Sequence, residues 1–372
     1  MLQSPDSVRP AVLGLEPYAP GLSIDEIRER YGLDRVIKLA SNENPLGVSP
    51  LVREAIERHA GLAFRYAQSG TPRLARAVAA RHGVDPARVV LGNGSDEVID
   101  LLIRCRAEPG AHNVVTARPC FSLYTLQARL CGVELRECPL RGDFSYDWAG
   151  LRALADENTA LVFVTTPDNP SGFCPPAAEL EAFARSLPPG ALLVLDEAYM
   201  DFADRPEDYS LLPRLEEFPN VAVLRTFSKC FGLAGLRLGY GIMPADLAAC
   251  LCRARLPFSV NILAEAAGLA ALADDDFIAA SRKTVRLGRE QLARGLRGLG
   301  CRVWPSHSNF LMFGPPESRR LEPEALFTAL LEQGVIIRRL KSYGLPEMFR
   351  VSVGLAEEND FFMDCLKLIL ER

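Results

Sequence analysis

Val-Ala-Val-Leu-Arg-Thr-Phe-Ser-Lys-Cys-Phe-Gly-Leu-Ala-Gly-Leu-Arg, residues 221–237, contains the most informative lysine of this chain. Lys229 closely follows an apolar run, Val221–Leu224, that is typical of a buried strand. Burying an unpaired ammonium group is costly, so a lysine at a buried strand end needs a chemical reason. One chemistry that needs such a lysine is Schiff-base formation with a carbonyl cofactor.

The neighbours of this lysine indicate which carbonyl cofactor it serves. Ser228 supplies a hydroxyl directly before it, and Arg237 supplies a guanidinium eight residues later, after a glycine-punctuated segment. A hydroxyl and a guanidinium together can hold a phosphate group. A lysine for a carbonyl group and two side chains for a phosphate indicate pyridoxal phosphate (PLP).

Size and composition restrict the class of protein. A chain of 372 residues and 40.8 kDa is long for a single core, which predicts two domains. The net charge of −5 argues against a nucleic-acid partner. The ten cysteines include no Cys-x-x-Cys pair, which favours reduced thiols in the cytoplasm. No signal peptide and no apolar run of about 18 residues is visible, so we expect no membrane segment.

Short apolar runs alternate with helical patterns in the middle of the chain. The strand candidates are Arg88–Leu91, Asn113–Thr116, Leu161–Thr165, Leu192–Leu195 and Val221–Leu224. Continuous apolar runs separated by helices predict an α/β fold with a mainly parallel sheet flanked by helices. In such a sheet the site is expected at the carboxyl ends of the strands.

The pattern changes after residue 262, where an arginine-rich helical segment precedes several short strand candidates. We therefore predict a large cofactor-binding domain over residues 46–262. A smaller α+β domain would be formed by residues 263–372, with residues 1–45 packing on it as an N-terminal arm.

A glycine-rich segment, Gly92–Glu97, joins the first of these strands to a helix. Its glycines permit a tight turn, and the helix N-terminus offers free N–H groups to a phosphate. The alternative is an ordinary helix start, with Ser95 as N-cap and two acidic residues favoured by the helix dipole. The acidic residues allow a phosphate only if their backbone N–H groups, rather than their carboxylates, face it.

Four more residues are candidates near the strand ends. Asp196 follows an apolar run, where a carboxylate can pair with a protonated pyridine nitrogen or can cap the next turn. Tyr199 can reach the same ligand or be a wall residue. Asn169 lies between two prolines, which also fits plain turn chemistry. Phe121 can stack on a ring, although a lone aromatic residue is more often part of a core.

Two arginines, Arg338 and Arg350, lie in or beside apolar strands of the predicted small domain. A guanidinium in such a run is usually paired, and its planar fork suits a carboxylate or a phosphate as well as a structural ion pair. The four histidines show no spacing typical of a metal pair, so we expect no metal site.

Taken together, the motifs resemble those of the fold-type I PLP-dependent aminotransferases, and within them the histidinol-phosphate aminotransferases. The resemblance covers nearly the whole chain, from about Leu15 to the C-terminus. Six motifs occur in family order: Lys38–Gly47, Gly92–Glu97, Asp196–Tyr199, Arg225–Lys229, Gly235–Tyr240 and Phe349–Gly354.

The resemblance implies a role for each residue of the cofactor site. Lys229 would hold PLP as a Schiff base and move the proton during the reaction. Asp196 would pair with the pyridine nitrogen. Tyr199 and Asn169 would hydrogen-bond the ring hydroxyl oxygen. Phe121 would stack on the ring, in a place where many relatives have tyrosine. The phosphate would be bound by Ser95, the backbone of Asp96, Ser228 and Arg237.

The resemblance also implies a homodimer, because Tyr66 matches a tyrosine that reaches the phosphate from the other subunit. Arg350 would grip a substrate carboxylate. Tyr18 and Arg338 match positions near the distal part of the substrate, where histidinol phosphate carries its own phosphate.

The implied reaction is amino transfer from histidinol phosphate to 2-oxoglutarate, giving imidazole acetol phosphate and glutamate. Two motifs depart from the family pattern: Tyr66–Gly70 reads Tyr-Ala-Gln-Ser-Gly, and Thr166–Gly172 reads Thr-Pro-Asp-Asn-Pro-Ser-Gly. The key Tyr66 and Asn169 are present, so these departures concern the substrate rather than the cofactor. An aromatic amino-acid aminotransferase and a threonine-phosphate decarboxylase on the same fold remain alternatives.

Overall fold

A computed structural model describes residues 8–15, 21–317 and 322–371 of the chain. The strands are β1 (Ile37–Lys38), β2 (Val89–Asn93), β3 (Asn113–Arg118), β4 (Glu134–Pro139), β5 (Thr159–Thr165), β6 (Leu192–Asp196), β7 (Val221–Thr226), β8 (Leu238–Ile242), β9 (Arg302–Val303), β10 (Phe310–Gly314), β11 (Val335–Ile336), β12 (Arg338–Arg339) and β13 (Phe349–Ser352). The helices are α1 (Pro10–Leu13), α2 (Ile24–Tyr31), α3 (Pro50–His59), α4 (Pro72–His82), α5 (Ser95–Arg106), α6 (Ser122–Cys131), α7 (Trp148–Leu154), α8 (Ala177–Ser186), α9 (Ala245–Ala254), α10 (Ile262–Leu272), α11 (Asp275–Gly298), α12 (Pro323–Glu332) and α13 (Ala356–Glu371).

Seven strands form the central sheet in the order β2-β8-β7-β6-β5-β3-β4. All of them run parallel except β8, which is antiparallel to both of its neighbours. The predicted α/β fold with a mainly parallel sheet is confirmed. All five strand candidates between residues 88 and 224 lie in this sheet.

The continuous apolar runs are explained by burial of both faces of the sheet. In β6, Leu193 and Leu195 belong to one hydrophobic cluster, whereas Leu192 and Val194 belong to another. Successive side chains of a strand point to opposite faces, so each face of the sheet carries its own core. Helices cover both faces, and the loops at the carboxyl ends of the strands are left to form a site.

Two strands of this sheet were not predicted. The edge strand β4 reads Glu-Leu-Arg-Glu-Cys-Pro and is only partly buried, so it lacks the apolar run. The strand β8 reads Leu-Gly-Tyr-Gly-Ile, and its glycines obscure the strand pattern. A Cβ atom on Gly239 would lie 2.2 Å from the backbone nitrogen of Ser95. Glycine in β8 is therefore what allows the start of α5 to pack against the sheet.

A second, antiparallel sheet has the order β12-β13-β10-β9, and β1 pairs with β11 in a separate parallel ribbon. The core of this region is a separate cluster that includes Leu311, Phe349 and Phe362. The region therefore has the α+β character that the sequence predicts.

The helices after residue 262 bear on where one region ends and the other begins. Helix α10 contributes Ala264 and Ala267 to a core of the central sheet. Helix α11 contributes Val285 to the same core and Leu292 to the core of the small sheet. The division into residues 46–262 and residues 1–45 with 263–372 stays a prediction.

The helices of the described residues include none with the length and hydropathy of a membrane-spanning segment.

Candidate active site

A cavity of about 440 Å³ lies at the carboxyl ends of β2, β5, β6 and β7. Because these strands run in the same direction, the residues that follow them meet at one edge of the sheet. Nine of the thirteen predicted site residues line the cavity: Ser95, Asp96, Phe121, Asn169, Asp196, Tyr199, Ser228, Lys229 and Arg237.

Lys229 lies in the loop after β7, with its side chain in the cavity. Its Nζ atom is 3.3 Å from the carbonyl oxygen of Ser41 and 5.7 Å from the ring centre of Tyr199. Burial, and next the positive charge of Arg350, lower the pKa of this amine from 10.5 to about 8. Roughly a tenth of the amine is therefore unprotonated at pH 7, which is the form that attacks a carbonyl or accepts a proton.

Asp196 is the last residue of β6 and is 3% exposed. Its Oδ2 atom accepts a 2.7 Å hydrogen bond from the hydroxyl of Tyr124, and its Oδ1 atom accepts a 3.2 Å bond from the backbone N–H of Ala198. Burial raises the pKa of Asp196 to about 6, and the Tyr124 hydrogen bond opposes that rise. The carboxylate thus caps the next turn with one oxygen and still faces the cavity.

The glycine-rich segment after β2 forms a concave backbone surface. Gly94 is the N-cap of α5, has a φ of +78° and provides no side-chain cap, so the alternative with Ser95 as the N-cap is wrong. The first N–H groups of α5 thus have no partner within the helix and can receive an anion. The positive φ favours glycine at this position, because L side chains rarely adopt that conformation.

The two acidic residues of this segment direct their carboxylates to other partners. Asp96 accepts a 2.8 Å hydrogen bond from Nη2 of Arg237, and Glu97 accepts a 2.6 Å bond from the backbone N–H of Asn93. Because both carboxylates are engaged in this way, their negative charges are partly compensated. The partner of Asp96 is the arginine that is predicted to bind the phosphate, and a phosphate at this helix stays a prediction.

Arg350 reaches the cavity region from β13 of the small sheet. This buried guanidinium donates through Nη1 to Oδ1 of Asn169 at 2.5 Å and through Nη2 to the carbonyl oxygen of Ala40 at 2.9 Å. The ring of Phe310 lies 5.1 Å from its central carbon. Its buried Nε atom has no hydrogen-bond partner within residues 8–15, 21–317 and 322–371. Arg350 itself does not line the cavity, and it contacts the cavity wall through Asn169.

Tyr199 is linked to the small sheet by an asparagine that the sequence analysis did not single out. The Nδ2 atom of Asn42 donates to the Tyr199 hydroxyl at 3.1 Å. Ser352 donates to Oδ1 of Asn42 at 2.9 Å, and Asn309 donates to its carbonyl oxygen at 2.9 Å. Asn42 has a φ of +55°, a conformation that asparagine tolerates better than most residues.

Tyr66 and Arg338 do not line the cavity. Tyr66 is 80% exposed and stacks on Phe258, with ring centres 4.6 Å apart, so it does not line the cavity of its own chain. Arg338 lies in β12 and pairs in register with Arg350 on β13. Tyr18 lies outside the described residues.

The residues that the sequence analysis missed are Tyr124 and Asn42. Tyr124 is fully buried in α6 and acts from behind Asp196, and nothing in its local sequence marks that contact. Asn42 lies in the motif Lys38–Gly47, whose run of polar residues between two predicted domains was a usable signal.

Among the described residues, no group of three or more His, Cys, Asp or Glu side chains is placed to hold a metal.

The arrangement fits the predicted PLP. A partly buried lysine of lowered pKa, a buried carboxylate and a helix N-terminus with an arginine surround one cavity. These groups match an aldehyde, a pyridine nitrogen and a phosphate in chemical type. Phe121 lines the same cavity and supplies an aromatic surface for a ring.

Comparisons with known proteins agree with this chemistry. The family model described as "Aminotransferase class I and II" matches residues 34–364. A histidinol-phosphate aminotransferase of Nitratidesulfovibrio vulgaris is 62% identical over 369 residues, covering 99% of this chain and 98% of the relative. The enzyme of that name from Oleidesulfovibrio alaskensis is 58% identical over 364 residues, with coverages of 98% and 95%.

A solved structure gives the same result for the fold. The histidinol-phosphate aminotransferase of Sinorhizobium meliloti, in complex with pyridoxal-5′-phosphate, superimposes with a TM-score of 0.89 at 30% identity. The superposition covers 100% of this chain and 99% of that chain. The chain therefore belongs to the aminotransferase class I and II family of fold-type I PLP-dependent enzymes, in the group of the histidinol-phosphate aminotransferases.

Proposed function

We propose that the protein transfers the amino group of histidinol phosphate to 2-oxoglutarate, giving imidazole acetol phosphate and glutamate in histidine biosynthesis. One observation carries this proposal: Lys229, Asp196 and the anion-binding start of α5 surround a single cavity. They do so in a chain 62% identical, over 369 residues, to an enzyme named for that reaction.

The cofactor PLP, when bound, supplies an electron sink that makes the hydrogen on the amino-bearing carbon of the substrate acidic. Lys229 would hold its aldehyde carbon, and Asp196 would hold its ring nitrogen. Ser95, Ser228 and Arg237 would bind its phosphate, together with the backbone N–H of Asp96. Asn169 and Tyr199 would hydrogen-bond the ring hydroxyl oxygen, and Phe121 would pack on the ring.

Lys229 moves the proton. With a pKa lowered to about 8, its Nζ atom can take the proton from the substrate carbon near neutral pH. The same atom would then give that proton to the carbon that carried the aldehyde of the cofactor, so Lys229 would act first as base and then as acid. Asp196 contributes a fixed negative charge beside the ring nitrogen, and its burial strengthens that interaction because little water screens it.

The site must accept two different amino compounds, since histidinol phosphate has no carboxylate and glutamate has two. We propose that Arg350 binds the carboxylate next to the amino group of glutamate, with Asn169 orienting its guanidinium. Arg338 and Tyr18 would bind the distal phosphate of histidinol phosphate or the distal carboxylate of glutamate. A guanidinium suits both anions because its planar donors match either one.

We further propose a homodimer in the cytoplasm. Large apolar side chains are exposed on one part of the chain: Phe64 at 77%, Tyr66 at 80%, Leu256 at 67% and Phe258 at 43%. Exposed clusters of this kind typically mark a protein–protein interface. A second copy seated on this surface would cover Tyr66, which would then reach the cofactor phosphate of the partner subunit.

The substrate is tested by half-reactions of the purified PLP enzyme with histidinol phosphate, phenylalanine and threonine phosphate. We expect histidinol phosphate to convert the cofactor to its amine form with the highest kcat/KM, and imidazole acetol phosphate to be released. A higher kcat/KM for phenylalanine would make the protein an aromatic amino-acid aminotransferase. Release of carbon dioxide from threonine phosphate, without formation of the amine form, would make it a decarboxylase.

A further inference from the structure

We infer that Tyr124 is a positioning residue for the reaction. Its hydroxyl holds the Asp196 carboxylate ionised and directed at the cavity, where that carboxylate receives the ring nitrogen of the cofactor. The inference rests on the proposed function, because Tyr124 acts only through Asp196.

The direction of the hydrogen bonds follows from the chemistry of the three groups. An ionised carboxylate can only accept, so the Tyr124 hydroxyl donates its single proton to Oδ2 of Asp196 across 2.7 Å. The Tyr124 oxygen lies 2.9 Å from Oγ1 of Thr165, and Thr165 must then be the donor of that second bond. Thr165 therefore donates to Tyr124, and Tyr124 donates to the carboxylate of Asp196.

Burial makes this donor matter. Tyr124, Thr165 and Asp196 are 0%, 4% and 3% exposed, so water does not replace a lost hydrogen bond from the inner side. A buried carboxylate with fewer donors binds a proton more readily. A protonated carboxyl group would carry no charge to stabilise a positive ring nitrogen.

The ring of Tyr124 is held in place by other aromatic residues. It stacks on Phe163 of β5, with ring centres 4.6 Å apart and planes 11° apart, and meets Phe121 edge-on at 5.7 Å. Strand register also places Thr165 directly beside Asp196. The hydroxyl is thus fixed relative to Asp196, as positioning of a catalytic group requires.

The test uses two cofactors that differ only at the ring nitrogen. The dissociation constants of PLP and of 1-deazapyridoxal phosphate, in which carbon replaces that nitrogen, are measured by equilibrium dialysis with apoenzyme. The ratio of the two constants reports the interaction of Asp196 with the nitrogen. A hydrogen bond to a charged group contributes roughly a tenfold factor or more, so Tyr124→Phe should lower the preference for PLP about tenfold.

A matched control is available in the same core. Tyr146 is also buried, and its hydroxyl donates to the backbone oxygen of Thr165 at 2.6 Å without touching Asp196. Tyr146→Phe removes the same atom from the same region, so its preference for PLP over the analogue should equal that of the wild type. A purely structural defect would weaken the binding of both cofactors by the same factor and leave the ratio of the two dissociation constants unchanged.

The outcomes separate the inference from the proposed function. A wild-type enzyme that prefers PLP and a Tyr124→Phe variant with the same preference would overturn the role of Tyr124 alone. A wild type that binds both cofactors equally would overturn the pairing of Asp196 with the ring nitrogen as well. If Tyr124→Phe does not fold, the same two constants are measured for Thr165→Val, which removes the hydrogen bond from Thr165 to Tyr124. The preference for PLP should then fall by a smaller factor. An unchanged preference would refute the inference.

Discussion

The lowered pKa of Lys229 gives the sharpest quantitative expectation for the apoenzyme. Burial, with Arg350 as the second cause, moves the pKa from 10.5 to about 8. That difference corresponds to roughly 3 kcal/mol. At pH 7 about one amine in ten would be neutral, against fewer than about one in a thousand for an ordinary lysine.

The rate of labelling by an amine-specific reagent follows the neutral fraction, so it can be measured in the apoenzyme across pH 6–11. We expect the rate at Lys229 to rise about tenfold per pH unit up to about pH 8 and then to level off, because the neutral form dominates above the pKa. Mass spectrometry of the Lys229 peptide provides the rate, and the peptide of the exposed Lys283 corrects for reagent decay.

A companion variant tests the cause of this shift. Arg350→Met removes a positive charge, so the midpoint for Lys229 should move upward yet stay below 10.5, since burial is the larger cause. A wild-type midpoint near 10 would refute the reasoning, because the amine would then be solvated. An unchanged midpoint in Arg350→Met would refute the part assigned to the arginine.

Three further expectations concern the substrate, the partner subunit and the sheet. Arg338→Ala should raise the KM for histidinol phosphate about tenfold or more in steady-state assays. An unchanged KM would show that Arg338 does not bind the substrate phosphate. Tyr66→Phe should weaken PLP binding about tenfold in equilibrium dialysis, whereas equal affinity would exclude a phosphate contact. Gly239→Ala places a Cβ atom 2.2 Å from the Ser95 nitrogen and should lower the free energy of unfolding by about 1–3 kcal/mol in urea titrations. The control Gly298→Ala meets nothing within 4 Å, and equal stability of the two variants would contradict the packing.

The sequence alone predicts those parts of the molecule in which a single physical rule determines the structure. A strand buried on both faces must be apolar along its whole length, and β5 and β6 are read correctly on that basis. The residues after parallel strands must meet at one edge, which brings Lys229, Asp196 and Asn169 to one cavity.

Other parts depend on contacts that no local pattern encodes. Tyr124 is an ordinary residue of an amphipathic helix until the fold places it behind Asp196. Asn42 acquires its contact with Tyr199 only when residues distant in sequence, such as Ser352, hold it in place. Strand β8 was missed because its glycines serve the packing of α5, a tertiary requirement that weakens the local strand signal.

Borohydride trapping tests most directly whether Lys229 carries the cofactor and gives it up to the substrate. Reduction of the PLP enzyme should fix the cofactor to the Lys229 peptide, as read by mass spectrometry. Prior incubation with histidinol phosphate should abolish this label, and subsequent 2-oxoglutarate should restore it. Label on another lysine, or label on Lys229 that histidinol phosphate leaves unchanged, would contradict the proposed reaction.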